Sequence, residues 1–361
     1  RCAASTPSVA ASASALNQRP GVRAQTRARV EDAIGRIGFV RDMAAANLAK
    51  RRVYPLVFIL PQGENSFMQE LRAEIGEAIR RSGMERTHIR IIDVPAFDGA
   101  ALADQLNALL VDPPAGVAVV AVDAPAVHAA IDALRAAGSA VLTLVSDLPN
   151  SRRDHFTGVD NLAAGRTAGS LMGRFLQRIP GKVAVVAGSM LVGDHRDRLA
   201  GFCERLAALN PALDILPVME GHDNPEAVHR LISQAFAHYD DIVGIYSLGA
   251  GNRGLIKALK QLKGASVRPV VIAHELTSHT SQALQDGLID AVLNQDAGHE
   301  VRSAIRVLKA RADGQAVISA QERIRIDIFL KDNLPGGGGR ENEHVSRSRS
   351  RHIRRQSHAD G

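Results

Sequence analysis

Tryptophan is absent from the 361 residues and aromatic side chains make up only 3% of them, so any core has to be aliphatic. Cysteine is nearly absent too. Cys2 and Cys203 alone supply neither a disulfide framework nor metal-ligand spacing, which fits a reducing compartment and argues for no metal site. No stretch approaches the roughly 18 unbroken apolar residues of a membrane span. Residues 3–16 are mostly Ala and Ser with few large side chains, so no secretory signal is read and a cytoplasmic location is expected.

Hydrophobic residues at 45% and charged residues at 23% are ordinary for a globular chain, and the length allows two or three domains. The net charge of +6 is unevenly placed. Residues 1–52 hold ten Arg or Lys against Glu31, Asp32 and Asp42, and residues 334–361 hold six Arg against Glu341, Glu343 and Asp360. These ends carry +7 and +3, which leaves −4 for the middle. A basic head on an acidic body points to a polyanion as the head's partner.

From Val53 onward, short Val- and Ile-rich runs alternate with segments of helical period. The runs are Val53–Leu60, Ile89–Val94, Gly116–Val122, Ala140–Val145, Lys182–Ala187, Ile242–Leu248, Val270–Ala273 and Ala291–Leu293. Between them Met68–Ser82, Ala100–Leu110, Ala126–Ala137, Ala163–Gln177 and Arg198–Leu209 repeat apolar residues at i, i+3, i+4. Such alternation predicts an α/β fold with parallel sheets and helices on both faces. About 280 residues is long for one sheet, so two lobes are expected over residues 53–333. The alternation in Arg323–Leu330 predicts a half-exposed edge strand closing the fold. Residues 334–361, rich in Gly, Ser, Arg and His, are expected to form a disordered basic tail. In residues 1–52, Val30, Ile34 and Ile37 make one apolar stripe, and Met43–Lys50 fits a second short helix.

Two motifs point toward enzymes and neither carries the reading. Gly249-Ala250-Gly251-Asn252-Arg253-Gly254 follows a predicted strand, with Glu275 ending the next one, which matches the dinucleotide fingerprint. It comes after at least five earlier strands and no catalytic set follows it, so a tight strand-to-helix turn is expected and no cofactor. His274 and His279 are five apart with the first at a strand end, whereas a zinc-protease helix needs i and i+4. Ser189 and Ser247 lie in no nucleophile elbow. No enzyme is expected. What remains is a set of groups at carboxyl ends of strands, where open α/β sheets bind ligands: Asn65, Phe67, Asp123, Asp147, Arg198, Ser247, Glu275 and Gln295. Carboxylates and an Arg can bond vicinal hydroxyls in pairs, and a ring can cover a sugar's apolar face.

Several ordered motifs resemble one family. Ala15-Leu16-Asn17, Pro20-Gly21-Val22 and Thr26-Arg27-Ala28-Arg29-Val30 look like the latter part of the DNA-binding head of LacI-type regulators, and Asn47-Leu48-Ala49 like their hinge helix. Gly158-Val159-Asp160-Asn161, Arg198-Leu199-Ala200-Gly201-Phe202 and Asn294-Gln295-Asp296 are similar to segments of the sugar-binding lobes that these regulators share with ribose-type periplasmic binding proteins. The resemblance implies a two-lobed effector domain behind a small helix-turn-helix head. That head is partial here, since Ser8–Leu16 stands where the base-reading helix belongs. It also implies operator DNA, a sugar-like effector, a homodimer and no membrane partner. Arg23, Arg27, Lys50, Arg51 and Arg52 are expected to contact phosphates. Asn47 lies in the hinge, and Leu48 is the expected wedge in the minor groove. A solute-binding protein of a sugar transport system shares the lobes and stays open as an alternative.

Overall fold

The computed structural model describes residues 22–37, 52–82, 86–249, 251–262 and 268–335. Two compact units divide the chain, Arg1–Val53 and Tyr54–Gly361. In the first, α1 (Ala24–Ile37) spans the segment read as helical and buries Val30. The second short helix expected at Met43–Lys50, together with Ser8–Leu16 and the 336–361 part of the tail, lies outside the described residues.

The second unit is a pair of α/β lobes. The N-terminal lobe has β1 (Tyr54–Pro61), β2 (Thr87–Val94), β3 (Gly116–Val119), β4 (Ala140–Leu144) and β5 (His155–Thr157), in the order β2-β1-β3-β4-β5. All its pairings are parallel; β1 and β2 stay in register from Tyr54↔Thr87 to Pro61↔Val94. Leu56, Val57, Phe58, Ile59 and Leu60 are all fully buried, as a central strand covered on both faces requires. Its helices are α2 (Ser66–Ser82), α3 (Gly99–Ala108) and α4 (Pro125–Ala136).

The C-terminal lobe holds α5 (Asn161–Phe175), β6 (Gly181–Ala187), α6 (Gly193–Leu209), β7 (Leu213–Ile215), β8 (Met219–Glu220) and α7 (Pro225–His238). It continues through β9 (Ile242–Ser247), α8 (Asn252–Gln261), β10 (Val270–His274), α9 (Ser278–Gln285) and β11 (Ala291–Asn294). Its sheet runs β7-β6-β9-β10-β11 and repeats the order of the first sheet, with β12 (Asp327–Phe329) added antiparallel at the β11 edge. That edge strand falls inside the alternating Arg323–Leu330 segment. The short β5, β7 and β8 have no apolar run long enough to announce them.

The chain passes between the lobes three times. Gly158-Val159-Asp160 leads from β5 to α5, Gln295-Asp296 leads from β11 to α10 (Ala297–Ala312), and residues 313–326 lead on to β12. Although it follows β11, α10 packs Ala297, Val301, Ala304, Val307 and Leu308 into the N-terminal core beside β1 and β4. At both of the first crossings an Asp caps the next helix. Asp160 Oδ1 accepts from the Ala163 amide at 2.9 Å, and Asp296 Oδ1 from the His299 amide at 2.8 Å. Among the described residues no helix is long and apolar enough to cross a membrane.

Candidate ligand-binding cleft

The carboxyl ends of the two sheets face each other across a cavity of about 740 Å³, counting its open mouth. Its N-terminal wall is largely apolar, built from Phe67, Met68, Val94, Phe97, Leu102 and Val120. The C-terminal wall presents Asp194, His195, Arg198, Asp223, Glu275 and Gln295.

Arg198 is placed by helix packing. Because α6 starts at Gly193, Asp194, His195 and Arg198 share the face turned to the cavity. The helix lies so close to α5 that a Cβ on Gly165 would come 2.0 Å from the Arg198 carbonyl oxygen, and one on Gly201 2.1 Å from that of Leu162. Glycine at both positions lets the backbones touch. The guanidinium donates from Nε to Asn161 Oδ1 at 2.8 Å and from Nη1 to the Leu248 carbonyl at 2.6 Å, and Nη1 lies 3.4 Å from Glu275 Oε1. Behind it, Phe202 stacks on Tyr246 at 4.3 Å between centroids, and the Tyr246 hydroxyl meets His274 Nε2 at 2.8 Å. Burial holds this imidazole well below its ordinary range, so the contact joins two neutral groups.

Glu275 stands one residue past β10 with φ 70°, a left-handed conformation rare outside glycine. Its amide still donates to the Leu293 carbonyl at 2.9 Å, which fixes the turn and leaves the side chain in the cavity. Gln295 Nε2 donates to Glu275 Oε1 at 3.0 Å. Burial pushes the Glu275 carboxyl up to about 7, with Arg198 and Gln295 pulling it back down. On α10 the Glu300 carboxyl is fully buried, neither oxygen has a partner, and burial pushes it well above the usual carboxylate range.

The structure brings five of the sequence-selected residues to this cavity: Asn65, Phe67, Arg198, Glu275 and Gln295. Asn65 also caps α2, its Oδ1 accepting from the Phe67 amide at 3.0 Å, while Nδ2 donates across the cleft to Asp223 at 3.0 Å. The other three do not line it. Asp123 forms ion pairs with Arg196 at 2.7 Å and His128 at 3.1 Å. Asp147 turns away into a fork with Arg153 at 2.5 Å and accepts from Thr143 Oγ1 at 2.7 Å, contacts that hold its carboxyl below the ordinary range against its desolvation. Ser247 is buried under the turn, donating to Asn252 Oδ1 at 2.7 Å.

The glycine motif serves this architecture. Gly251 caps α8 with φ 69°, a Cβ on Gly249 would meet Arg198 Nη1 at 2.7 Å, and one on Gly254 would meet the Pro225 carbonyl at 1.9 Å. Asp194, His195 and Asp223 were not foreseen from sequence. The first two precede Arg198 by four and three residues, and starting the helix at Gly193 rather than Arg198 reveals them. Asp223 follows β8, a strand of two residues with no readable period. In the head, Arg23 and Arg27 are exposed one turn apart and Arg52 is half-buried, whereas Asn47, Leu48, Lys50 and Arg51 lie outside the described residues.

The profile of the periplasmic binding protein domain matches residues 56–316, and the chain belongs to that family. Three solved structures illustrate the shared fold. GanP, a glucose-galactose binding protein from Geobacillus stearothermophilus, is 18% identical with a TM-score of 0.69, covering 79% of this chain and 99% of its own. An ABC transporter solute-binding protein from Burkholderia graminis in complex with D-arabinose is 21% identical with a TM-score of 0.70, covering 78% and 96%. A protein assigned as a LacI transcriptional regulator from Bacteroides fragilis is 17% identical with a TM-score of 0.68, covering 78% and 98%. No curated protein matches the sequence significantly.

Proposed function

We propose that this chain is a LacI-type regulator whose affinity for operator DNA is set by a small sugar-like effector held between the lobes. The observation that carries the effector half is the convergence of Arg198, Glu275 and Gln295, all buried, on one cavity between lobes joined by three crossings. The DNA half rests on the basic first 52 residues and their motifs. The chain acts in the cytoplasm as a homodimer and catalyses no reaction; Arg23, Arg27, Lys50, Arg51 and Arg52 meet phosphates, with Asn47 and Leu48 in the hinge. The effector favours one closure angle, and closure changes the spacing of the paired heads.

The test is fluorescence anisotropy of labelled DNA from upstream of the gene, with the full chain at fixed salt and a panel of pentoses and hexoses. Specific binding that one sugar shifts by about tenfold, roughly 1.4 kcal/mol of coupling, is the expected result. Arg198→Ala should remove the shift while leaving DNA binding in place. The likeness to GanP and to the arabinose complex favours a second reading, a solute-binding protein of a sugar transport system. Sugar binding with no salt-dependent DNA binding would select that reading.

A further inference from the structure

The two walls of the cleft ask for different chemistry, and the polar wall asks for one kind of group. Asp194 Oδ1, Asp223 Oδ1, Glu275 Oε2 and Gln295 Oε1 are all buried and none has a hydrogen-bond partner. The Gln295 amide is oriented by its bond to Glu275, which leaves its carbonyl end as the open one. All four can accept when the carboxyls are ionised, and three of them belong to carboxyl groups. Leaving such a group buried and unpaired is unfavourable, the more so if it is charged. Among the lining residues, Arg198 alone on this wall carries a permanent positive charge; its Nε donates to Asn161 and its Nη1 to Leu248, with Glu275 Oε1 at 3.4 Å, so one guanidinium faces three carboxyl groups. Opposite, Phe67, Met68, Phe97 and Val120 offer nothing to hydroxyls, and Asn65 has both ends of its amide engaged.

A neutral polyol supplies donors, but every hydroxyl also brings lone pairs and needs partners around the whole ring. A protonated amine supplies three donors, no acceptor and the missing positive charge. We infer that the effector is a sugar-like molecule carrying a basic amine, bound with its ammonium group against Asp194, Asp223 and Glu275. Its less polar edge rests on the N-terminal wall. Burial raises the Asp223 and Glu275 carboxyls, Arg198 and Asn65 offset this only in part, and a bound ammonium favours the charged forms further. The inference rests on the cleft being the effector site, as proposed above.

Isothermal titration of the full chain with glucosamine, galactosamine and mannosamine, each beside its parent hexose and its N-acetyl derivative, tests it. At least one free amine should bind about tenfold or more tightly than both its parent and its N-acetyl form, a difference of roughly 1.4 kcal/mol. Glu275→Gln should bring that ratio close to one, and Asp223→Asn should reduce it independently. A parent hexose or N-acetyl sugar that binds as well as or better than every amine would overturn the inference and leave the sugar-effector reading standing. An amine preference indifferent to both substitutions would overturn it too, by placing the amine elsewhere. If no member of the series binds at millimolar concentration, the inference fails, and the pentose and hexose panel above decides the sugar-effector reading separately.

Discussion

The N-terminal lobe ends β4 on Val145 at φ 64°, and the C-terminal lobe ends β10, the strand at the same place in its sheet, on Glu275 at φ 70°. A second such pair faces itself across the cleft. Phe97 at φ 60° meets His222 at φ 50° edge to face, 6.2 Å between centroids, and Asp223 follows at φ 57°. The lobes share a strand order and a backbone device that throws a side chain into the cavity. They differ in what they throw: an isopropyl group and a phenyl ring on one side, carboxylates on the other. Backbone topology therefore fixes where a ligand sits, and a few residues just past the strand ends fix what it is. The device is costly, about 1–3 kcal/mol for each such residue, and such strain clusters where sites are built.

One helical glycine in each lobe has very different surroundings, and the two Gly→Ala changes should act with opposite signs. Gly165→Ala should be the most damaging, since its Cβ would lie 2.0 Å from the Arg198 carbonyl oxygen and α5 would have to move off α6. Overpacking of this kind costs about 2–3 kcal/mol. Because α5 carries Asn161, the partner of Arg198 Nε on α6, effector affinity should fall with stability in urea denaturation and calorimetry on the same preparation. Retained stability would mean that the interface yields more easily than its geometry implies.

Glu300→Gln comes next, and its effect depends on pH. The folded chain holds the Glu300 proton well above the ordinary value of 4.5, so folding takes up a proton that the unfolded chain has released. Stability is then full below pH 4.5 and falls as pH rises through the folded pKa. Glutamine cannot ionise. The variant should therefore gain more at about pH 8 than at about pH 5, by roughly 1 kcal/mol or more. Glu275, pushed up to about 7, adds a loss of the same sign between 4.5 and 7. Urea denaturation at the two pH values reads both, and equal gains at the two would refute the buried-charge account.

Much of this architecture was legible in the sequence. The long Val- and Ile-rich runs were, because a strand buried on both faces must be apolar at every position. Two of the crossings were legible only through the resemblance of Gly158-Val159-Asp160-Asn161 and Asn294-Gln295-Asp296 to family segments. The cleft was only half legible. Strand-end position selected Arg198, Glu275 and Gln295 along with Asp147 and Ser247, because position along a strand does not say which way a side chain turns. Arg153 and Asn252 decide that for Asp147 and Ser247, and both are settled by tertiary contacts. The apolar character of the N-terminal wall was not legible, since Val120, Val94 and Phe97 read as ordinary strand-end residues.

Gly76→Ala is the N-terminal counterpart of the first substitution. A Cβ there meets only Arg80 Nη1 at 3.8 Å, an ordinary contact on α2. Alanine should raise stability by about 0.5–1 kcal/mol through its better helical propensity, with effector binding unchanged. A loss would mean that the surroundings of Gly76 are tighter than this geometry implies.

The smallest effect should come from the contacts that tie the lobes at the rim. Arg196 meets Asp123 at 2.7 Å on one side of the mouth, and Arg253 donates to the Glu64 carbonyl at 2.9 Å on the other. The Arg196–Asp123 side chains are 39% and 40% exposed, so water and salt screen the pair and its worth to global stability is about 0.5 kcal/mol or less. Arg196→Ala should scarcely move the denaturation midpoint. It should instead open the lobes, which small-angle scattering reads as a larger radius of gyration, and speed ligand release. The same opening should appear in the parent chain as salt is raised, and be absent from the variant. A variant as compact as the parent at low salt would show that closure depends on the buried groups inside the cleft and that the rim pair contributes nothing to it.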